Sequence, residues 1–440
     1  VRSPTVGDLL RKYGPAYLAC CGDEVDAHTR YVLQRLMQCR TEALGGHGWQ
    51  CEVCSHRHYC FNSCNHRHCT TCCKGPQLEW LEKMRQWQLP ARYYHVVFTV
   101  PHELCDLILA NRGRLFSLLL RCSADTLLSL GREQLGAQLG VVNVPHLWGQ
   151  LMLSHPHSHN VVTPGGPSLD QTRWVDASET FLSREDLAAR FRKLYLRGIE
   201  RLYRRGELTL PDSMSAITDR EALRAWLAPL GRRRWIVDCQ PPPVDCQDSE
   251  AVLKYLAKYV AGSVIHDWRI VSDDGEYVTF TAKNYRDGTR ELVPIRGVEF
   301  VRRFCLHILP RGFHRSRNYG LFAARHRKEM LPLCRKLLGA APLEAAVEFV
   351  EESRLDADED DDDEREENVT RKRCPRCLLW ALLWVGRLTA AEMRALQTRQ
   401  ARLGELLLST VTTLDIDRLE VSQQWQRDMD ELRRLPLPYW

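Results

Sequence analysis

The chain has 440 residues, 44% of them hydrophobic and 27% charged, as expected of a globular protein with two or three domains and a real core. No apolar run approaches the roughly 18 residues of a membrane-spanning helix. The longest, at 378–385, is far too short, and the N-terminal VRSPTVGDLLRKYG lacks a secretory apolar stretch, so the cytosol is the expected location. Net charge is +5, but residues 351–367 hold twelve acids against two arginines. That local −10 leaves +15 on the rest, a balance that suits a polyanionic partner such as nucleic acid.

Taken in chain order, residues 1–38 read as helical. Eight of the 18 cysteines then fall between Cys39 and Cys73, with five histidines among them. In a reducing compartment such clustering points to metal, not disulfides. A helix over GPQLEWLEKMRQWQLP follows, and then a strand over the β-branched and aromatic YYHVVFTVP. Residues 102–140 have helical periodicity. LMLSHPHSHNVVTPGG reads as a second strand, 183–206 and 218–229 as helices, and RRWIVDC as a strand. SEAVLKYLAKYVAGS is a helix with Ser249 as its cap and Gly262 at its end. A hairpin turns at Asp287-Gly288. Residues 298–350 are mostly helical and basic, DADEDDDDEREE is an acidic linker, and 373–440 a small helical tail. Strands and helices mix without regular alternation, so the expected class is α+β.

Two Cys-x-x-Cys knuckles, Cys51/Cys54 and Cys69/Cys72, are fourteen residues apart. Together they make a closed four-sulfur zinc site, which folds a domain and leaves no open position for chemistry. Cys39, His47, Cys64 and His68 are spaced for a second zinc, although Cys60, Cys73, His56, His58 and His66 compete for it and a single zinc is the alternative. Cys374-Pro-Arg-Cys377 is half a site with no knuckle after it. His155, His157 and His159 alternate along a strand, so all three project from one face. They can hold one divalent ion with positions left open, as in a metal-dependent hydrolase or a phosphodiester-cleaving enzyme. Tyr255 and Tyr259 are one helical turn apart, flanked by Lys254 and Lys258. The same spacing, with Val252 and Leu256, also makes an ordinary core stripe.

These segments together resemble the two-tyrosine, HUH-class transposases of rolling-circle insertion sequences. The resemblance runs over roughly 35–325, through SCNHRHCTTC, YYHVVFTVPHEL, HLWGQLMLSHPHSHNVVTPGG, VLKYLAKYV and EFVRRFCLHILPRGFHRSRNYGL. It implies a central antiparallel sheet with flanking helices, preceded by a small zinc-binding domain. It implies a catalytic Mg²⁺ or Mn²⁺ on His157 and His159, with a third ligand not placed, and nucleophiles at Tyr255 and Tyr259. It further implies single-stranded DNA with terminal hairpins as substrate, no nucleotide cofactor, and a place in the bacterial cytosol with the nucleoid. Arg302, Arg303, Arg311, Arg315 and Arg317 are candidates for the DNA backbone, and Tyr319 for a base.

The domains expected are 1–38 helical, 39–90 zinc-binding, 91–345 catalytic, 346–372 linker and 373–440 tail. Ser158, Asn160 and Thr70 depart from the family pattern, Ser158 standing where an apolar residue is usual. The rival readings are a non-catalytic, decayed zinc-finger relative that only binds DNA, and the hydrolase.

Overall fold

The computed structural model describes residues 3–177, 181–241, 263–284, 287–340, 374–377 and 382–398, without the side chains of 74–77 and 382–386. Two compact units divide the chain: Val1–Cys39 with Ser63–Glu367, and Arg40–Asn62 with Asn368–Trp440. The boundaries expected at 39–90 and 373–440 do not follow this packing. Segments far apart in sequence join in the second unit, and linear clustering of cysteines could not reveal that.

The smaller unit is a three-stranded antiparallel sheet. In it β1 (Gly46–Cys51) lies between β2 (Arg57–Phe61) and β13 (Leu382–Leu388). The expected all-helical tail therefore starts with a strand, its LLWVGRL run pairing with β1. Among the described residues, Cys51 and Cys374 are buried together, with Trp49, Cys54 and Cys377 packed against them.

In the larger unit, helices α1 (Val6–Cys21) and α2 (Ala27–Met37) come first, and α3 (Lys74–Trp87) follows. The central element is a five-stranded, wholly antiparallel sheet. It comprises β3 (Tyr94–Thr99), β4 (Gly140–Trp148), β5 (Ser154–Val162), β8 (Val237–Gln240) and β12 (Arg317–Gly320), in the order β12-β4-β5-β3-β8. A two-stranded ribbon of β6 (Gly165–Pro167) and β7 (Trp174–Asp176) and a three-stranded sheet of β9 (Ile270–Asp273), β10 (Tyr277–Lys283) and β11 (Arg290–Arg296) complete the described strands. The hairpin expected at Asp287-Gly288 is β10–β11.

One face of the five-stranded sheet carries Val96, Phe98, Val141 and Val162. It packs against α5 (Arg112–Leu130), which follows the short α4 (Cys105–Ala110), and against α6 (Arg184–Arg204). Helix α6 begins where Ser183 accepts a hydrogen bond from the Asp186 N–H. Its buried Leu187, Phe191, Tyr195 and Ile199 recur every four residues, so one stripe faces the sheet. Phe191 lies 4.8 Å from Phe98 and 5.5 Å from Trp235, ring centroid to centroid. Each such ring stabilises the fold by about 1.5–3 kcal/mol through burial. Helix α7 (Arg220–Arg232) adds Leu223, Leu227 and Leu230 to this core. On the other face, Val142 and Val161 meet Trp80, Met84 and Trp87 of α3 and Met330, Leu331 and Cys334 of the helix Ala324–Leu337.

Ser158 and Asn160 belong to the α5 side and are fully buried. Asn160 Nδ2 donates to Val96 O at 3.0 Å and to Ser158 Oγ at 3.2 Å. Its cross-strand partner Asn143 donates to Leu120 O and to Ser123 Oγ. Ser158 is thus one member of a polar group that spans β4, β5 and α5, and its hydroxyl has a partner.

The cysteines form two groups of four, and not as the knuckle spacing suggested. Cys39, which follows α2, joins Cys64, Cys69 and Cys72 in the larger unit; Cys51 and Cys54 join Cys374 and Cys377 in the smaller. Sγ–Sγ separations are 3.5–3.8 Å in the first group and 3.6 Å in the second. A tetrahedron of thiolates about 2.3 Å from zinc has edges of about 3.8 Å, so both sets fit Zn²⁺. Backbone N–H groups of Cys54 and Val53 are directed at Cys51 and hold its thiol down at about 7. The expected second-site histidines are elsewhere. His47 Nδ1 is 2.9 Å from Asn62 Oδ1. His68 is buried, its Nε2 accepting from Leu309 N–H at 3.1 Å and its Nδ1 2.8 Å from Arg315 Nη2.

Replacing Cys374 by Ser should therefore lower bound zinc from two ions per chain to one, measured by elemental mass spectrometry. Unchanged zinc would restore the pairing of Cys51/Cys54 with Cys69/Cys72. Replacing Ser158 by Val should change unfolding free energy by less than about 1 kcal/mol in a denaturant titration, because the added apolar burial offsets one lost hydrogen bond. A loss above about 3 kcal/mol would show the hydroxyl to be the support of the whole group.

Candidate active site

Strand β5 reads SHPHSHNVV, and its alternation sends His157 and His159 to one face and Ser158 and Asn160 to the other. On the histidine face β4 contributes His146, the direct cross-strand partner of His157. A register shift between His146 and Trp148 bends β4 at that point, as bulges do where a side chain is re-aimed. His146 Nδ1 lies 2.8 Å from His157 Nε2. The His157 and His159 rings are 5.0 Å apart, and His146 is 5.6 Å from His159. One nitrogen from each of the three falls within 4.8 Å of the others. His155 stands at the exposed end of the same row.

Burial pushes His157 down to about 4, and pushes His146 and His159 well below the ordinary imidazole range. All three are therefore neutral at physiological pH, the form that ligates a metal. His157 Nδ1 is 2.7 Å from the His155 carbonyl oxygen, which can only accept. The proton of His157 thus sits on Nδ1, and its lone pair is on Nε2, toward His146. Three convergent, neutral imidazoles, two of them buried, fit one divalent cation. His146 is the member of this group that sequence reasoning did not place. Its one signal was the β-branched run GVVNV before Pro145-His146, a strand in its own right.

Tyr255, Tyr259, Lys254 and Lys258 lie outside the described residues. Of the arginines expected along DNA, Arg315 is buried and engaged with His68 and the Arg67 carbonyl, so it supports the fold. Arg302 and Arg303 both pair with Glu299, at 2.6 and 2.7 Å. Arg317 lies over the Phe313 ring and donates to Ser117. Tyr319 is half-buried against the main core. Arg311 is exposed. Basic residues that read as one stripe in sequence thus divide between internal and surface roles.

Residues 140–330, which include β4 and β5, match a family model described as "Putative transposase", and residues 9–100 match a "Transposase zinc-binding domain". The "Putative transposase y4qJ" of Sinorhizobium fredii is 38% identical over 381 residues, which cover 85% of this chain and 93% of the relative. The "Transposase for insertion sequence element IS801" of Pseudomonas savastanoi pv. phaseolicola is 26% identical over 307 residues, covering 68% and 72%. No solved structure matches. The chain belongs to the insertion-sequence transposases of the IS91 and IS801 type, and carries their zinc-binding domain ahead of the five-stranded antiparallel sheet.

Proposed function

We propose that this transposase cuts and rejoins single-stranded DNA at the ends of a rolling-circle element through a 5′-phosphotyrosine intermediate. The observation that carries this reading is the group of three neutral histidines on neighbouring strands of the sheet. A cation held by three histidines keeps coordination positions for a phosphate, which suits strand cleavage and has no use in a protein that only binds DNA.

Tyr255 and Tyr259 are the nucleophiles. The phenol oxygen of one attacks the scissile phosphorus and loses its proton, and the bond from phosphorus to the 3′ oxygen breaks. That oxygen takes up a proton and becomes a 3′ hydroxyl. One ester replaces another, so the step needs no nucleotide cofactor and reverses to rejoin strands. The second tyrosine permits a second cut while the first end stays attached. Mg²⁺ or Mn²⁺ bound by His146, His157 and His159 would polarise the scissile phosphate. The zinc-binding domain and Arg311 provide sequence-independent contacts to the backbone. Among the described residues no helix is long and apolar enough to cross a membrane, and a DNA substrate with terminal hairpins places the protein with the bacterial nucleoid.

With Mn²⁺ and an oligonucleotide carrying the element's end, the protein should form an adduct that survives denaturation and carries the 5′ side of the break. Replacing both tyrosines by Phe should abolish it, and replacing one should leave partial cleavage. Replacing His146 or His157 by Ala should slow cleavage at least about 100-fold, more than is usual for an outer-shell partner. Cleavage by the double Phe variant would make water the nucleophile and the protein a hydrolase. No cleavage by the unaltered chain at any metal concentration would favour the DNA-binding relative.

The donor set also ranks the cations. Imidazole nitrogens suit Mn²⁺ better than Mg²⁺, which favours carboxylate and water oxygens. Half-maximal cleavage should need about tenfold less Mn²⁺ than Mg²⁺. Equal requirements in a metal titration would indicate that a carboxylate completes the site.

A further inference from the structure

His95, on β3, shares the sheet face of His157 and His159 but stands outside the group of three. Its ring stacks on His159 with centroids 5.1 Å apart, and its Nε2 is 2.9 Å from His159 Nδ1. Two neutral imidazoles that meet nitrogen to nitrogen share one proton, so one donates and the other accepts. The direction decides what His159 can do. If His95 donated, the proton of neutral His159 would have to sit on Nε2, which could then ligate nothing. If His159 donates, its lone pair is on Nε2.

The neighbouring strand sets this direction. Along β8, Gln240 is opposite His95 and Asp238 is opposite Val97. Gln240 Nε2 donates to Asp238 Oδ2 at 2.7 Å, and a carboxylate can only accept. Asp238 Oδ1 faces Arg184 Nη2 at 3.2 Å. With Nε2 turned to Asp238, the Oε1 of Gln240 can accept from His95, its cross-strand partner. With Gln240 accepting the His95 ring proton, Nε2 of His95 is left as the acceptor for His159.

We propose that Asp238, Gln240 and His95 form a hydrogen-bond relay across β8 and β3 that locks His159 in its Nδ1–H tautomer and so presents the Nε2 lone pair to the cation. The relay rests on the reading of His146, His157 and His159 as metal ligands. His95 is a positioning residue within it. The two strand histidines then have separate proton acceptors, a backbone carbonyl for His157 and a side-chain chain for His159. Metal-bound histidines commonly need such outer-shell partners to fix ring and tautomer.

The test is Mn²⁺ binding to the full-length, zinc-loaded protein, followed by loss of the free-ion EPR signal, with a thermal melt for each variant. The unaltered protein should bind one Mn²⁺ that His157→Ala removes. His95→Leu should weaken binding about 10–100-fold, whereas His95→Gln, whose Oε1 can accept from His159, should stay within about threefold of the unaltered protein. Gln240→Leu, at an exposed position, should weaken binding by about threefold to tenfold, because His95 remains but its direction is no longer imposed. A folded His95→Leu protein with undiminished affinity would overturn the relay. Equal losses in the Leu and Gln variants would also overturn it, since they would mark packing alone. If His95→Leu does not fold, Gln240→Leu decides, and unchanged affinity there overturns the relay. Absence of Mn²⁺ binding by the unaltered protein, or full binding by His157→Ala, would instead remove the metal reading beneath it.

Discussion

Strand β5 is buried on both faces and carries polar side chains on both, and much of the larger unit answers that constraint. An apolar strand in this central position would need nothing from its neighbours but volume. Here each face needs hydrogen-bond partners as well, since a buried polar group left unmade costs about 1–3 kcal/mol. On the α5 side, Asn160 finds the Val96 carbonyl and Ser158, while Asn143 finds Leu120 and Ser123. On the other side the imidazoles find one another and the His155 carbonyl. The period of two keeps these groups apart, so a register slip of one residue would exchange them and destroy both.

Burial also sets the electrostatics. In water a histidine is part-charged near neutral pH, and three of them together would repel a cation as well as one another. Removed from water, each imidazole loses its proton before the ordinary range is reached, His157 at about 4. The sheet thus converts a cluster of bases into a set of neutral donors, with no acidic residue in the group among the described residues. The desolvation that makes this strand costly to fold also makes it ready to ligate.

Much of this was legible in the sequence where the signal was local. Alternation in SHPHSH places His157 and His159 on one face, and four-residue spacing finds α6 and its core stripe. The hairpin at Asp287-Gly288 and the strand YYHVVFTVP are likewise where turn chemistry and β-branching put them. What escaped was set by pairing between strands. His146 becomes a neighbour of His157 only through the β4–β5 register, and His95 meets His159 only through β3–β5. The arginines misled for a related reason: Arg315 and Arg311 look alike in sequence, and only packing separates a buried buttress from a surface charge.

The cysteines show how a local signal can also mislead. Each Cys-x-x-Cys turn is a reliable half-site, but nothing local says which half-sites meet. Cys54 and Cys374 are 320 residues apart. Closing a loop of that length costs roughly 5 kcal/mol in chain entropy, an upper bound where the intervening chain is itself folded. A structural zinc with thiolate ligands contributes on the order of 10–16 kcal/mol, two to three times that cost. Separation in sequence is therefore a weak argument against a zinc pairing, whereas a missing partner for a half-site is a strong argument for looking further along the chain. Cys374-Pro-Arg-Cys377, without a neighbour in sequence, and Cys51-Glu-Val-Cys54 complete each other on those grounds.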